Sequence, residues 1–229
     1  MTSIEDKESD QNNKKWKKSK IQISKELRDI IHGYVMSDGY IRNGCLTVHQ
    51  GEKQKAFVKW LYEKFQIIRT PKPITEVIMT HSKTHRQSRS FRFFTRSVLH
   101  GFENMWYQVS MDTDGHRKST KKLPRTIQCF FNETFVTVWF AGDGTKIIGS
   151  KGAKFEVTAF TVQERLKLKN LFFTKFGIRA QIISSGLSKS GRRQWALKIP
   201  AQDYQKFRNI ITKMDLIPNL FPYKLHKKT

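Results

Sequence analysis

The sequence predicts an α+β protein of two pseudo-symmetric halves, each running α-β-β-α-β-β-α. Three observations predict it. A mostly apolar helical run that closes on a small residue and Asp-Gly occurs twice, at residues 31–39 and 136–144, and sets Asp38 and Asp143 105 residues apart (143 − 38). Phe102-Glu-Asn-Met matches Phe207-Arg-Asn-Ile at the same offset (207 − 102). Between these fixed points the order of helical and alternating stretches recurs. The offset drifts to 111 at Phe65 and Phe176 (176 − 65), as loop insertions would make it. A repeat of this length signifies duplicated domains, not a short solenoid unit.

Residues 1–23 form a polar arm in which Lys14, Lys15, Lys17, Lys18 and Lys20 crowd together, a solvated segment with phosphate contact as its functional alternative. The first half, residues 24–124, opens at Ser24, a helix cap ahead of Leu27, Ile30, Ile31, Tyr34 and Val35 at helical spacing. Gly39 stops that helix. Alternating strands follow around Ile41 and over 46–50. A helix from about Lys53 to Phe65 carries Phe57, Trp60 and Leu61, and Pro71 and Pro73 break the chain after it. Two strands, near 76–81 and 88–95, lead to a helix bearing Val98, Leu99, Phe102, Met105 and Trp106.

The second half, residues 125–229, repeats this order. Its motif helix ends at Asp143, with strands near 146–148 and 154–160. Thr161 and Glu164 make a capping box for a helix through Leu168, Leu171, Phe172 and Phe176. Strands near 180–184 and 194–200 precede a long last helix carrying Tyr204, Phe207, Ile210, Ile211 and Met214.

Composition narrows the function. Lys and Arg total 43 against 19 Asp and Glu, a charge of +24 along 229 residues, which is the electrostatic footprint of a polyanion binder. With 17 Phe and 5 Trp, the chain has the aromatics of a packed core that a disordered basic protein lacks. No apolar run reaches the roughly 18 residues of a membrane span. The acid-rich first ten residues fit neither a secretory signal nor a transit peptide. Cys45 and Cys129 form no Cys-x-x-Cys, so zinc and disulfide frameworks are not expected and a reducing compartment is.

Either acid alone would read as an ordinary Asp-Gly turn. Two, each behind an apolar helix, suggest carboxylates brought together at one metal site. Hard oxygen ligands of this kind suit Mg²⁺, and phosphodiester cleavage needs what such an ion offers. Gly33 and Ser37, four apart, would let the two helices approach closely.

These segments resemble the motifs of single-chain LAGLIDADG homing endonucleases. The first keeps Gly33, Ser37 and Asp38-Gly39 and departs at His32. The second keeps Gly142-Asp143-Gly144 and has Val138 at the first glycine's place, followed by Trp139-Phe140. The resemblance implies that Asp38 and Asp143 are catalytic metal ligands and that the main-chain carbonyls of Ser37 and Gly142 also touch metal. It implies Mg²⁺ or Mn²⁺ as cofactor, with Ca²⁺ as a non-productive substitute. It also implies a DNA-binding saddle of antiparallel strands, and basic residues beside the metals. Lys122 and Lys224, which close the two halves 102 residues apart (224 − 122), are the candidates, with Lys121 able to replace Lys122.

Alternation supplies a binding surface. Ser88, Ser90 and Arg92 alternate with Arg89, Phe91 and Phe93, and Gln194, Ala196 and Lys198 with Trp195, Leu197 and Ile199. A polar strand face can enter a major groove, where Arg reads guanine and Gln reads adenine. Arg42, Thr47, His49, Lys146, Lys154 and Thr158 are further candidates. The basic loops Lys83–Arg89, with Arg86, and Lys189–Arg193, with Arg192, would track phosphates. The aromatics at helical spacing are expected in the core.

The expected protein is a monomeric, metal-dependent, intron-encoded double-strand DNA endonuclease. It would cut a long non-palindromic site and leave short 3′ overhangs. The rival is a maturase that binds host intron RNA on the same fold without cutting. An organelle (mitochondrion or chloroplast) or a prokaryotic cytoplasm is the expected compartment, with no membrane partner.

Overall fold

The computed structural model describes residues 21–80, 82, 85–111 and 113–226. The arm's lysines at 14–20, and His81 and Lys83, lie outside the described residues. The first half contains α1 (Lys25–Met36), β1 (Tyr40–Arg42), β2 (Cys45–Gly51), α2 (Lys55–Lys64), β3 (Thr75–Thr80), β4 (Gln87–Phe94) and α3 (His100–Trp106). A ribbon of β5 (Tyr107–Met111) and β6 (Arg117–Lys121) follows. The second half contains α4 (Glu133–Asp143), β7 (Thr145–Lys146), β8 (Ala153–Glu156), α5 (Val162–Phe176), β9 (Gln181–Leu187), β10 (Arg193–Ile199) and α6 (Tyr204–Ile211), then a short α7 (Leu216–Leu220). The αββαββα order thus occurs twice. Each half has a four-stranded antiparallel sheet, β1-β2-β4-β3 and β7-β8-β10-β9.

Local chemistry sets the helix ends. Ser24 Oγ accepts from the Leu27 amide at 3.2 Å, and Asn132 Oδ1 accepts from the Phe135 amide at 3.0 Å, so both motif helices start on a side-chain cap. Thr161 and Glu164 form the reciprocal capping box, and α5 ends on Gly177 in the left-handed conformation (φ 64°). The last helix is shorter than its apolar spacing predicts. It stops at Ile211, Met214 lies in the following turn, and α7 restarts with Pro218 in its first turn, where no amide is needed. The β5–β6 ribbon is not expected from the repeat: β5 alternates Tyr107, Val109 and Met111 with Gln108 and Ser110, but β6 is polar throughout and the second half has no such pair.

The two halves meet along α1 and α4. A methyl group built on Gly33 would lie 2.7 Å from the Phe135 carbonyl oxygen and 2.9 Å from Val138 Cβ. One built on Gly142 would lie 2.4 Å from Ser37 Oγ and 2.6 Å from Ser37 Cβ. Gly33 and Val138 are repeat counterparts, as are Ser37 and Gly142, each pair 105 apart. Around a pseudo-twofold axis each position meets its own counterpart, so one glycine per pair suffices. Val138, the departure from the motif, is accommodated by Gly33 across the crossing.

Behind these helices a continuous aromatic core fills the body. It includes Phe57, Trp106, Phe135, Trp139, Phe155, Phe172 and Phe207, all buried. His32 belongs to it: its ring stacks on Phe130 at 3.7 Å between centroids and its Nδ1 accepts from Trp106 Nε1 at 2.9 Å. Burial, reinforced by Arg28, lowers its pKa to about 3, so it packs as a neutral ring.

The crossing makes a discriminating prediction. Gly142→Ala should lose about 1–3 kcal/mol by overpacking, and adding Ser37→Gly should recover most of it, because the obstruction is a side chain. Gly33→Ala should not be recovered by Val138→Ala, because the Phe135 main chain also obstructs. Chemical denaturation of the four variants measures both, and equal rescue at the two sites would refute this account of the packing.

Candidate active site and nucleic-acid interface

The C-terminal ends of α1 and α4 abut, and the two acids sit there. Asp38 follows the cap of α1 and is exposed; Asp143 is the last residue of α4 and is half-buried. A methyl group on Gly142 would come within 3.0 Å of Asp38 Oδ2, which places the first carboxylate against the end of the second helix. Burial is the main cause that raises the Asp143 pKa, to about 7; Asp38 adds to it, and Lys121 and Lys224 oppose it.

Each helix end is closed by a lysine. Lys121 Nζ donates to the carbonyls of Val35 (2.7 Å) and Ser37 (2.9 Å). Lys224 Nζ donates to those of Phe140 (3.0 Å), Ala141 (2.6 Å) and Gly142 (3.2 Å). Val35 and Phe140 are repeat counterparts, as are Ser37 and Gly142, so the arrangement is pseudo-twofold. An ammonium at a helix C-terminus satisfies carbonyls that lack intrahelical partners and complements the dipole. Burial lowers both lysine pKa values, that of Lys224 to about 8, while Asp143 and Asp38 pull them back up.

Of the two candidates, Lys121 is therefore the lysine whose ammonium reaches the first motif. The main-chain amide of Lys122 bonds the Trp106 carbonyl at 2.7 Å, and it is Lys121, on the opposite side of the strand, that reaches the motif. The Ser37 and Gly142 carbonyls, expected as metal ligands, face these ammonium groups.

Gln50 was not among the expected site residues. It lies on the inward side of β2 with Leu46 and Val48, and its Nε2 donates to Asp38 Oδ2 at 2.8 Å. A glutamine on an apolar strand face, where a buried amide must find a partner, was the available signal. By pairing register the equivalent second-half residue is Val157, just past β8 (Thr47 matches Lys154, each paired to the first strand of its sheet). Asp143 thus has no amide of this kind from its own half.

No group of three or more His, Cys, Asp and Glu gathers among the described residues. The two carboxylates fit Mg²⁺, which takes few protein ligands and keeps waters for a phosphate to replace.

The sheets present the other expected residues. On the outer face of the first sheet, His49 and Arg92 are directly paired and exposed, Ser90 Oγ lies 2.8 Å from His49 Nε2, and Arg42 and Thr47 share the face. Arg89, expected in a phosphate-tracking loop, lies within β4 with the parity of Phe91 and Phe93; it is exposed and pairs with Glu76 at 3.8 Å. Lys146 is not on the outer face. It pairs with Ala153, whose side faces the core, and exposed Thr145 takes the outer position.

On the second sheet Lys154 and Lys198 stand directly opposite, between Thr145 and Gln181. Like charges at this spacing are unfavourable unless a polyanion covers them. Gln194 lies beside a β-bulge, Arg193 stands over the Trp195 ring at 5.9 Å, and Thr158 Oγ1 accepts from the Trp195 amide at 2.7 Å. Arg86, Lys189 and Arg192 are exposed in the loops at the strand ends.

No curated protein sequence matches the chain. Among solved structures it is similar to the homing endonuclease I-WcaI bound to its DNA recognition sequence, with TM-score 0.73 and 18% identity over 91% of this chain and 89% of that one. I-DmoI in complex with its target DNA and manganese gives TM-score 0.48 and 14% identity, over 85% of this chain and 97% of that one. Full-length DUF199/WhiA from Thermatoga maritima gives 0.48 and 12%, over 90% and 62%. A profile of the LAGLIDADG DNA endonuclease family matches residues 28–207, across both Asp-Gly motifs. The chain belongs to the LAGLIDADG DNA endonuclease family.

Proposed function

We propose that this chain is a monomeric homing endonuclease that cuts both strands of a long, non-palindromic DNA site and leaves short 3′ overhangs. The observation that carries the reading is the abutting pair of carboxylates, Asp38 and Asp143, each behind a helix end closed by a lysine. Membership of the family supports it, as does the DNA-bound state of I-WcaI.

Asp38 and Asp143 would hold Mg²⁺ or Mn²⁺, and the ion would supply charge neutralisation, water activation and stabilisation of the leaving 3′-oxygen. The protein's own part is positional. Gln50 fixes the Asp38 carboxylate. Lys121 and Lys224 hold positive charge where a phosphate would sit, and Lys224, drawn down to about 8, can exchange a proton near neutral pH. Lys154, Lys198, Arg92 and Arg42 would bind phosphates or guanine edges. Equivalent sheet positions differ, His49 against Glu156 and Arg92 against Ala196, so the two half-sites should differ in sequence.

Cleavage of a randomised duplex library in Mg²⁺ should select one long site. Asp38→Asn and Asp143→Asn should each slow cutting by at least about 100-fold. No cleavage with any divalent metal would overturn the reading and make structured intron RNA the ligand to try.

Lys121→Ala should cost about 10- to 100-fold in cleavage rate, whereas Lys122→Ala should stay near wild type. The reverse ranking would return the role to Lys122.

Stability without metal should also report on Asp143. Its folded pKa, about 7, lies above the ordinary 3.8, so folding takes up a proton between those values. Its own contribution to stability is then fullest below about pH 4 and is lost as pH rises through 7. The lowered Lys224 pKa acts only above about 8 and leaves this window alone. In EDTA, Asp143→Asn should melt above wild type at pH 7.5, with the gap closing towards pH 4. A gap independent of pH would show that the carboxyl titrates normally.

A further inference from the structure

The β5–β6 ribbon is unaccounted for by the duplicated fold. It forms a sheet of its own, paired only within itself from Tyr107↔Lys121 to Met111↔Arg117. In the second half the chain instead passes from α6 through α7 to Lys224. Both faces of the ribbon are open beyond its base: Val109 and Met111 are 46% and 69% exposed on one, and Gln108, Ser110, Lys118 and Thr120 are exposed on the other. A two-stranded ribbon without a covered face is marginal in water, so its base must hold it. Tyr107 Oη donates to the Gly39 carbonyl (3.2 Å) and accepts from the Ile41 amide (3.3 Å), on either side of the motif turn from Lys121. The ribbon is therefore rooted in the loop that carries Asp38.

We propose that this ribbon is an auxiliary DNA-binding arm, which lays its Gln108–Ser110–Lys118–Thr120 face on the duplex beside the cleavage centre. The inference rests on the endonuclease reading above. Two features select duplex DNA as occupant. The strands themselves contain Arg117, Lys118 and Lys121 and no acid, Asp112 and Asp114 falling between them in the sequence, and the ribbon is continuous with the proposed cleavage site through Lys121. Paired across the strands, Gln108 with Thr120 and Ser110 with Lys118 make a compact face of hydrogen-bonding groups. A two-stranded ribbon has the width of a major groove, and these residue types contact base edges or phosphates there. Because the arm exists in one half only, it would lengthen the contact on one side of the cut.

The test uses the full chain with Ca²⁺ in place of Mg²⁺, a labelled duplex of the selected site, and a mixed-sequence duplex of equal length. A benzophenone amino acid at Ser110 should crosslink to the selected duplex, while the same group at Lys59, exposed on α2, should not. Lys118→Ala should reduce the slope of log affinity against log salt by about 0.9, the loss of one phosphate contact. If the duplex is bound and cut but Ser110 yields no crosslink and the slope is unchanged, the arm proposal is overturned. Crosslinking to structured RNA alone overturns it as well. Failure of wild type to bind either duplex would instead defeat the endonuclease reading on which it rests.

Discussion

The close approach of α1 and α4 is the constraint on which the rest depends. Two helices related by a pseudo-twofold axis must present each residue to its own counterpart, so bulk is limited pair by pair, not residue by residue. Gly33 opposite Val138 and Gly142 opposite Ser37 divide that limit between the halves. Only at this separation do both helix C-termini fall together, and with them both carboxylates. A wider crossing filled by larger side chains would keep a hydrophobic core but separate Asp38 from the end of the second helix.

The same approach makes the site electrostatically unfavourable when nothing is bound. Two acids, two partly desolvated ammonium groups and the negative ends of two helix dipoles share a small volume. Burial and Asp38 raise the Asp143 pKa, and burial lowers those of Lys121 and Lys224. The lysines offset part of this by capping the carbonyls behind the acids. A divalent cation with a phosphate would relieve the carboxylates more completely, so stability is given up at the place where binding is to occur. The opposed Lys154 and Lys198 on the second sheet follow the same logic, with a polyanion as the relief.

Much of this was legible because duplication prints the same physical problem twice. The shared offset of the two acids and the alternation in β4 and β10 gave the halves and their sheets, and the capping box located α5. What escaped was whatever depended on direction. Pairing of β7 puts Lys146 beside Ala153 on the core side, a sense that a two-residue strand takes from its partner and not from its own alternation. The choice between Lys121 and Lys122 turned on strand alternation at the end of β6. Gln50 was hidden by sitting on an apolar face, and the ribbon by the wholly polar β6 and by having no equivalent in the second half.

The halves resemble each other where helices cross and differ where the sheets face outward. At the crossing, packing allows few solutions, so a change in one half is met by a glycine in the other. On the sheets, an outer position does not pack against its counterpart in the other half. Where the first half has His49 opposite Arg92, the second has Glu156 opposite Ala196, at little cost to the fold. Gln50 against Val157 lies between these regimes, inward enough to touch Asp38 through its amide but without a packing partner in the other half. Fixing one acid and not the other makes the surroundings of Asp38 and Asp143 inequivalent. In a chain whose helices enforce symmetry, Gln50 is thus a difference between the halves that reaches a motif acid from just outside the crossing.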